Sequence, residues 1–436
     1  MKADTQFDRQ DKLPSPKSYE SRVFPLNNHP LYGDVQSFGE CQYLMPKVLA
    51  DFTNDFDFEE HVTSLEICPA CFFNTSGTTS RSKRIPYSDD DLDRQRIHEA
   101  IALTKLGMGK GDGVISLGAP LPSISGWAIV NGSETTGATV LNSSQIDYDD
   151  VFLRGHEAKA TIVIGTPIVV KEIGLSIKEE RGDLQKVFPN MRTGIIFGDV
   201  LPSALRKEIK EIWGFETVYS LYGTVEADVV ATESREFPGE MELMTERLLI
   251  ELIPESELAK EREDESYAAT PSELNSVDHG TVGEIVISDL SRSVLPLIRY
   301  RIGDIIEVRK EGRPAGKETV KVLGRSKNII LLDGVPLYEM QLNSAIERAL
   351  GGRVSEWRIT EREGEDRGKY DLSIQPAPGE HLGSGDREGV INTIREERIE
   401  LDRLILSDYI RVSTVETLGQ DDVRGDAKAK RIVLQA

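Results

Sequence analysis

An α/β fold followed by a smaller α+β unit is what three features of this 436-residue sequence predict. Short β-branched runs alternate with stretches of helical period through Trp213, a pattern that builds a largely parallel sheet covered on both faces. From about Arg247 the pattern changes to strand pairs, and beyond Gly324 helix and strand patterns resume on a smaller scale. The expected fold class is therefore α/β: a large N-terminal domain of mixed, largely parallel sheets with covering helices plus a β-rich segment, then a small α+β C-terminal domain.

In chain order, the first helical pattern is Asp90–Leu106, and buried strands are predicted at Gly113–Leu117, Ala138–Leu141, Ala160–Ile164 and Thr193–Phe197, each short and rich in Val, Ile or Thr. A further helix is predicted over Pro202–Trp213, where Leu205, Ile209 and Ile212 fall on one face. Strands at Leu248–Ile253 and Gly283–Ile287 flank the charged stretch Glu255–Asp278, which reads as a solvated loop because charge runs stay hydrated. The small unit is expected to run helix Glu339–Leu350, strand Tyr370–Gln375, helix Gly389–Leu404 and strand Tyr409–Val415, with Pro376–Asp386 as a turn. Ligands of such parallel sheets gather at the carboxyl ends of the strands.

Composition narrows the function. The 52 basic side chains face 74 acidic ones, a net charge of −22, so nonspecific binding to nucleic acid or an anionic membrane is disfavoured by repulsion. Any nucleotide must be held by a local site. No run approaches the ~20 apolar residues of a membrane span, and Met1–Lys17 is polar with no apolar core, so no secretory signal is read and a cytoplasmic location is expected. Three cysteines cannot all pair, which fits a reducing compartment. Cys68 and Cys71 have CxxC spacing, but a zinc set would need Cys41 or His61 to complete it, and two small buried residues is the favoured reading.

Chemistry is concentrated in short stretches. Thr75-Ser76-Gly77-Thr78-Thr79-Ser80-Arg81-Ser82-Lys83 follows the apolar pair Phe72-Phe73 and offers hydroxyls, backbone N–H groups and two cations to one acceptor-rich group such as a polyphosphate. On composition alone such a cluster is more often an ordinary solvated loop, and it does not read G-x-x-x-x-G-K-[ST]. Three stretches follow in order: Tyr222-Gly223-Thr224-Val225-Glu226, Tyr300-Arg301-Ile302-Gly303-Asp304 and Gly324-Arg325-Ser326-Lys327. A fourth, Gly425-Asp426-Ala427-Lys428-Ala429-Lys430-Arg431, completes the series. Each follows or closes an apolar run, where a binding loop at a strand end would lie.

This ordered series resembles the adenylate-forming superfamily of acyl-CoA synthetases and adenylation domains, and within it the phenylacetate-CoA ligase branch, from about Phe72 to the C-terminus. The resemblance implies a large ATP- and acid-binding domain over residues 1–326 and a small mobile domain over 327–436, hinged at Lys327. It implies ATP-dependent activation of a small carboxylic acid to acyl-AMP, followed by transfer to coenzyme A. Thr75, Ser76, Gly77, Thr78, Thr79 and Lys83 would then bind the ATP phosphates. Ser220, Leu221, Tyr222, Gly223 and Thr224 would pack on and beside adenine, Asp304 would accept from the ribose hydroxyls, and Arg325 would contact ribose or phosphate. Glu226 would hold Mg²⁺, and Lys428 would bridge the carboxylate and the α-phosphate. The acid pocket would be lined by Leu121, Pro122, Ser123, Phe197, Gly198 and Tyr219, with Gly334–Tyr338 facing the site during thiolation. Relatives suggest a homodimer.

The sequence departs from the family pattern at Ser80 and Ser82, where glycine and proline are usual, and at Val225 and Ile302, where threonine is usual. Losing the hydroxyl at Val225 removes a hydrogen bond worth about 1 kcal/mol, and Thr224 would replace it only if the loop shifted. Two alternatives are an adenylating enzyme that acylates a carrier protein, and a degenerate nucleotide-binding subunit. The acidic surface opposes an acidic carrier, and a binding-only protein has no use for the remote Lys428.

Overall fold

The computed structural model describes residues 31–32, 38, 41–54, 69–75, 83–142, 148–199, 201–264, 266–313, 318–416, 418 and 431–434. The chain divides into two compact units, one formed by Met1–Gly198 and Ile212–Lys321, the other by Asp199–Glu211 and Val322–Ala436.

The first unit opens with α1 (Pro46–Asn54) and a hairpin of β1 (Cys71–Asn74) and β2 (Arg84–Tyr87). Then come α2 (Asp89–Lys105), β3 (Gly113–Leu117), α3 (Ile124–Thr135), β4 (Thr139–Asn142), α4 (Tyr148–Glu157), β5 (Ile162–Gly165), α5 (Pro167–Arg181), β6 (Thr193–Phe197), α6 (Ser203–Trp213), whose residues through Glu211 belong to the second unit, and β7 (Thr217–Thr224). The strands β4, β3, β5, β6 and β7 are neighbours in that order and all pair in parallel. Residue alternation explains the two covered faces. Val114 packs with Ala102, Leu103 and Ile129 of α2 and α3, whereas Ile115 points the other way, where a Cβ added to Gly155 of α4 would lie 2.7 Å from its Cδ1. Helix α2 starts where Ser88 Oγ accepts from Asp91 N at 3.1 Å and the Asp91 carboxylate accepts from Ser88 N at 3.1 Å, a reciprocal cap that satisfies two donors at once. The four parallel strands predicted from β-branched runs are present, each within two residues of its expected start.

After β7 the sheet turns antiparallel: β8 (Asp228–Glu233), β9 (Met241–Leu243), β10 (Leu249–Pro254), β11 (Ser272–Glu273), β12 (Val282–Asp289), β13 (Leu297–Arg309) and β14 (Thr319–Arg325) complete a 12-stranded sheet. Two expectations are corrected here. The stretch Glu255–Asp278 is not all loop, because it holds α7 (Glu255–Glu263) and β11, which pairs with β10 at the sheet edge. One apolar residue, Leu258, is 4% exposed and anchors that otherwise charged helix. Tyr300–Asp304 is not a loop at a strand end either. It lies inside β13, whose register against β12 shifts between Ile305↔Glu284 and Arg301↔Val286, leaving a bulge with Gly303 at φ +84°, a conformation that glycine adopts without strain. Leu44 forms a parallel bridge with Tyr300 of β13, its N–H donating to Arg299 O and its carbonyl accepting from Arg301 N, each at 3.1 Å.

In the second unit a short hairpin, β15 (Ile330–Leu332) and β16 (Val335–Leu337), turns at Asp333-Gly334, both at positive φ, as Asp-Gly hairpins require. Gly334–Tyr338 is therefore a hairpin turn, a strand and the residue before a helix rather than an open loop. Helix α8 (Glu339–Leu350) matches its predicted span, then β17 (Val354–Glu361), β18 (Tyr370–Pro376), α9 (Ser384–Glu397), β19 (Ile410–Thr414) and β20 (Ile432–Val433) follow. The sheet order is β19-β18-β17-β20, and Leu342 and Ile346 of α8 pack on Trp357, Ile359 and Leu372. Helix α9 begins five residues before the predicted Gly389 and ends at Glu397, not Leu404. Asp386 Oδ2 accepts from Gly383 N at 2.8 Å, so a Gly-Ser-Gly-Asp stretch that reads as turn is a helix start.

Candidate active site

The carboxyl ends of the parallel strands lie side by side: Leu117 pairs with Gly165, Gly165 with Ile196, and Phe197 with Leu221. Two of the predicted acid-pocket residues end or follow one of these strands, and Tyr219 lies within another. Phe197 closes β6 and packs on the core beneath, while Gly198 takes φ +84° as the chain leaves the sheet. Tyr219 and Ser220 lie on β7 opposite Ile195 and Ile196. Ser123 caps α3, its Oγ accepting from Ser125 N at 3.4 Å, and the turn before it passes so close to the helix that a Cβ on Gly118 would lie 2.8 Å from Gly126 Cα. Leu121 is 69% exposed. The Pro122 carbonyl accepts from Asn74 N at 2.9 Å, which ties this turn to β1.

That hairpin carries the hydroxyl-rich loop. Thr75 N donates to Lys83 O at 3.0 Å, and Lys83 N donates to Thr75 Oγ1 at 2.9 Å, closing the loop at its base. Ser76, Gly77, Thr78, Thr79, Ser80, Arg81 and Ser82 lie outside the described residues. Lys83 points its Nζ at Glu226 Oε1, 2.7 Å away.

Glu226 stands on the turn between β7 and β8 and is 5% exposed. Its Oε1 also accepts from Tyr300 OH at 2.9 Å. Burial would push this carboxyl up, but the Lys83 ammonium beside it and the hydrogen bonds from Lys83 and Tyr300 hold it below the usual carboxylate range. The turn is tight: a Cβ on Gly223 would lie 2.6 Å from Asp228 O, so only glycine fits. The Thr224 hydroxyl accepts from Ala227 N at 3.0 Å. That bond occupies the oxygen as an acceptor and ties Thr224 to the turn. Among the described residues, no three His, Cys, Asp or Glu side chains are grouped as a metal cage. One ionised buried carboxylate still fits Mg²⁺, which is commonly bound through one or two carboxylates together with substrate phosphates and water.

Tyr222 donates its hydroxyl to Asp304 Oδ2, joining two predicted nucleotide-site residues that lie 82 positions apart. Asp304 is 4% exposed in the β13 bulge. Ser220 N donates to Glu233 Oε2 at 2.7 Å, and Leu221 is in the core. Arg325 ends β14 in the second unit, and Lys327 follows in a single 3₁₀ turn, Ser326–Asn328. Lys428 lies outside the described residues.

Several residues that complete this arrangement carry no signal in the sequence. Tyr87, Arg247 and Arg292 each reach the turn around Glu226 from distant segments. Only the burial of charged residues beside apolar strands hints at them, and that is visible only after folding.

Comparison with known proteins gives a consistent picture. The chain is 22% identical over 344 residues to a phenylacetate-coenzyme A ligase of Pseudomonas putida, covering 78% of this chain and 72% of the relative. It is 23% identical over 277 residues to the phenylacetate-coenzyme A ligase of Escherichia coli (strain K12), covering 62% of this chain and 59% of that one. Among solved structures, 2-hydroxyisobutyryl-CoA ligase in its postadenylation state superposes with a TM-score of 0.73 at 16% identity, over 100% of this chain and 94% of that one, a likeness of fold. The AMP-binding enzyme family model matches residues 45–291, which contain β1 to β12 and the Glu226 turn. The chain belongs to the AMP-binding enzyme family, the adenylate-forming superfamily, and within it is phenylacetate-CoA ligase-like.

Proposed function

We propose that this protein is an AMP-forming acid–thiol ligase that activates a small carboxylic acid with ATP and transfers the acyl group to coenzyme A. The single observation that carries the reading is the buried Glu226 carboxylate, kept ionised by Lys83 and Tyr300 on the turn that follows β7, one of the parallel strands. The family membership and the phenylacetate-CoA ligase relatives support the same chemistry.

In this reading the acid's carboxylate attacks the α-phosphorus in line, forming acyl-AMP and releasing pyrophosphate. The chain contributes orientation and charge stabilisation rather than a covalent step. Asp304, whose carboxylate is oriented by the Tyr222 hydroxyl, accepts from the ribose hydroxyls. Thr75 and Lys83, with the residues between them, surround the β- and γ-phosphates. Glu226 would hold Mg²⁺, which when bound would neutralise phosphate charge. Lys428 bridges the acid and the α-phosphate. A thiol of coenzyme A then attacks the acyl carbon, and AMP leaves. Two nucleophiles acting on one acyl-AMP need two geometries, so Lys327 is the proposed hinge between residues 1–326 and 327–436.

A small or branched aliphatic acid fits the proposed pocket as well as an aryl acid. Residence in the cytoplasm and assembly as a homodimer belong to the proposal, to be checked by fractionation and light scattering. Among the described residues no helix is long and apolar enough to cross a membrane.

The test is carboxylate-dependent exchange of labelled pyrophosphate into ATP across a panel of acids. Exchange with at least one acid is expected, and its absence with every acid despite measurable ATP binding overturns the reading. Product analysis with and without coenzyme A then distinguishes a thioester from transfer to another acceptor.

A further inference from the structure

Side chains from distant segments hold the backbone of the Glu226 turn. Tyr87 OH donates to Val225 O at 2.8 Å. Arg292 Nη1 donates to Glu226 O, and Arg247 Nη2 donates both to Ala227 O and, at 3.0 Å, to Val229 O. Three consecutive carbonyls thus end on three different side chains, two of them buried cations, with Arg247 6% and Arg292 5% exposed.

The same groups are locked to one another. The Arg292 guanidinium lies 3.9 Å from the centroid of the Tyr87 ring. The single Tyr87 hydroxyl hydrogen is shared between Val225 O and Asp228 Oδ1, 2.6 Å away, and Arg247 Nη1 binds Asp289 Oδ2 at 2.7 Å. The Asp91 carboxylate accepts from Ser293 N at 2.6 Å and from Val294 N at 3.3 Å, fixing the segment that carries Arg292 onto α2. Asp228, next to the turn, is at φ +54°, a conformation that a non-glycine residue keeps only when its surroundings enforce it.

Charged donors on buried carbonyls are stronger and more directional than neutral ones, and interlocked networks resist displacement of any one member. Tyr87 ends the strand that begins one residue after Lys83. The acid and the cation that faces it are therefore hung from one rigid frame.

We infer that Tyr87, Arg247 and Arg292 are positioning residues for Glu226, fixing the backbone of its turn so that its carboxylate meets the incoming nucleotide in one orientation. The inference rests on the proposed adenylating function and extends it to residues that touch neither substrate nor metal. Its competitor is a generic structural role, in which the same residues fill a polar part of the core.

Tyr87→Phe keeps the ring and its contact with Arg292 while removing the hydroxyl, and Arg292→Lys keeps the charge while losing the planar fork. Two readouts are taken on each full-length protein: amide hydrogen exchange without ligands, and pyrophosphate exchange with the best acid. Expected are faster amide exchange by about tenfold or more at residues 224–229 with 370–376 unchanged, and a turnover lower by about 10²-fold with the KM for the acid within about twofold. Methionine in place of Arg292 should fall further than lysine. Loss of protection spread evenly over the first unit, or wild-type turnover in a folded Tyr87→Phe protein, overturns the inference. If the wild type itself exchanges no pyrophosphate with any acid, the proposed function fails instead. The amide exchange of residues 224–229 still decides whether these residues hold the turn.

Discussion

Two buried glutamates of the first unit, Glu226 on the β7–β8 turn and Glu99 on α2, are displaced in opposite directions. Glu226 is held below its usual range because Lys83 and Tyr300 offset the effect of burial. Glu99, 4% exposed and packed against Gly132, where an added Cβ would lie 2.3 Å from its Cγ, is pushed up to about 8 by burial and by the Asp228 carboxylate, with Arg247 opposing. Burial is common to both. What separates them is a cation in direct hydrogen-bonded contact, Lys83 on Glu226, whereas Arg247 acts on Glu99 only through its field; the glutamate with the direct partner is ready to meet a nucleotide's cation and phosphates as an anion at neutral pH.

The sharpest way to break this contrast is Glu226→Gln, which keeps the volume and removes the charge. Pyrophosphate exchange is expected to fall by about 10²–10³-fold, the range seen when one preorganised electrostatic group is lost. A variant with near wild-type exchange would separate Glu226 from the chemistry. Lys83→Met strips Glu226 of its partner and leaves a buried carboxylate unpaired, a change that costs about 3–5 kcal/mol. Chemical denaturation should show the loss most clearly at neutral pH and much less below the usual carboxylate range. The sign follows from the depressed Glu226: its paired state stabilises the fold above the unfolded carboxyl's titration and is lost as pH falls through the folded one.

Glu99 carries the opposite sign. A raised carboxyl keeps its proton on folding, so the wild type loses stability as pH rises from the unfolded value of 4.5 to about 8, by up to about 1.4 kcal/mol per pH unit, and the loss levels off above that. In Glu99→Gln that limb should flatten, so the variant gains on the wild type by about 2 kcal/mol or more at pH 9 and little at pH 4. Equal stability differences at both pH values would mean that Glu99 is ionised in the fold. The smallest effect is expected from Tyr222→Phe, which removes one hydrogen bond to Asp304. About 1 kcal/mol should appear as roughly fivefold weaker ATP binding by calorimetry, with little change in melting temperature.

The same contrast explains what could be read without a structure. Strands β3 and β6 match their predicted ends because buried parallel strands are continuous β-branched runs, and the pattern needs no knowledge of partners. Glu226, Tyr222 and Asp304 stand out as members of ordered motifs. Lys83 and Tyr300 belong to those motifs too, but their pairing with Glu226 does not show: Lys83 lies 143 positions from Glu226 and Tyr300 lies 74 positions from it, and nothing local marks Arg247 or Arg292 as donors to that turn. The charge run at Glu255–Asp278 misleads for a related reason. Helix α7 needs only Leu258 and the neighbouring strands to hold it, and one apolar residue among charges carries no readable period. The bulge at Ile302–Asp304 is likewise a property of two paired strands, so a motif that reads as a loop proves to be part of a strand.

The bridge between Leu44 and Tyr300 gives the chain ahead of α1 a mechanical part in the site. Leu44 is bonded on both sides of Tyr300, and the Tyr300 hydroxyl steadies Glu226. A proteolytic cut between Leu44 and Met45, with loss of the piece ahead of it, would remove this clasp without removing a residue of the family-matched segment, which starts at Met45. A trimmed protein of that kind loses the buried Phe38, Cys41 and Leu44, and is expected to lose turnover by more than its fall in melting temperature accounts for, because the support of Tyr300 goes with them.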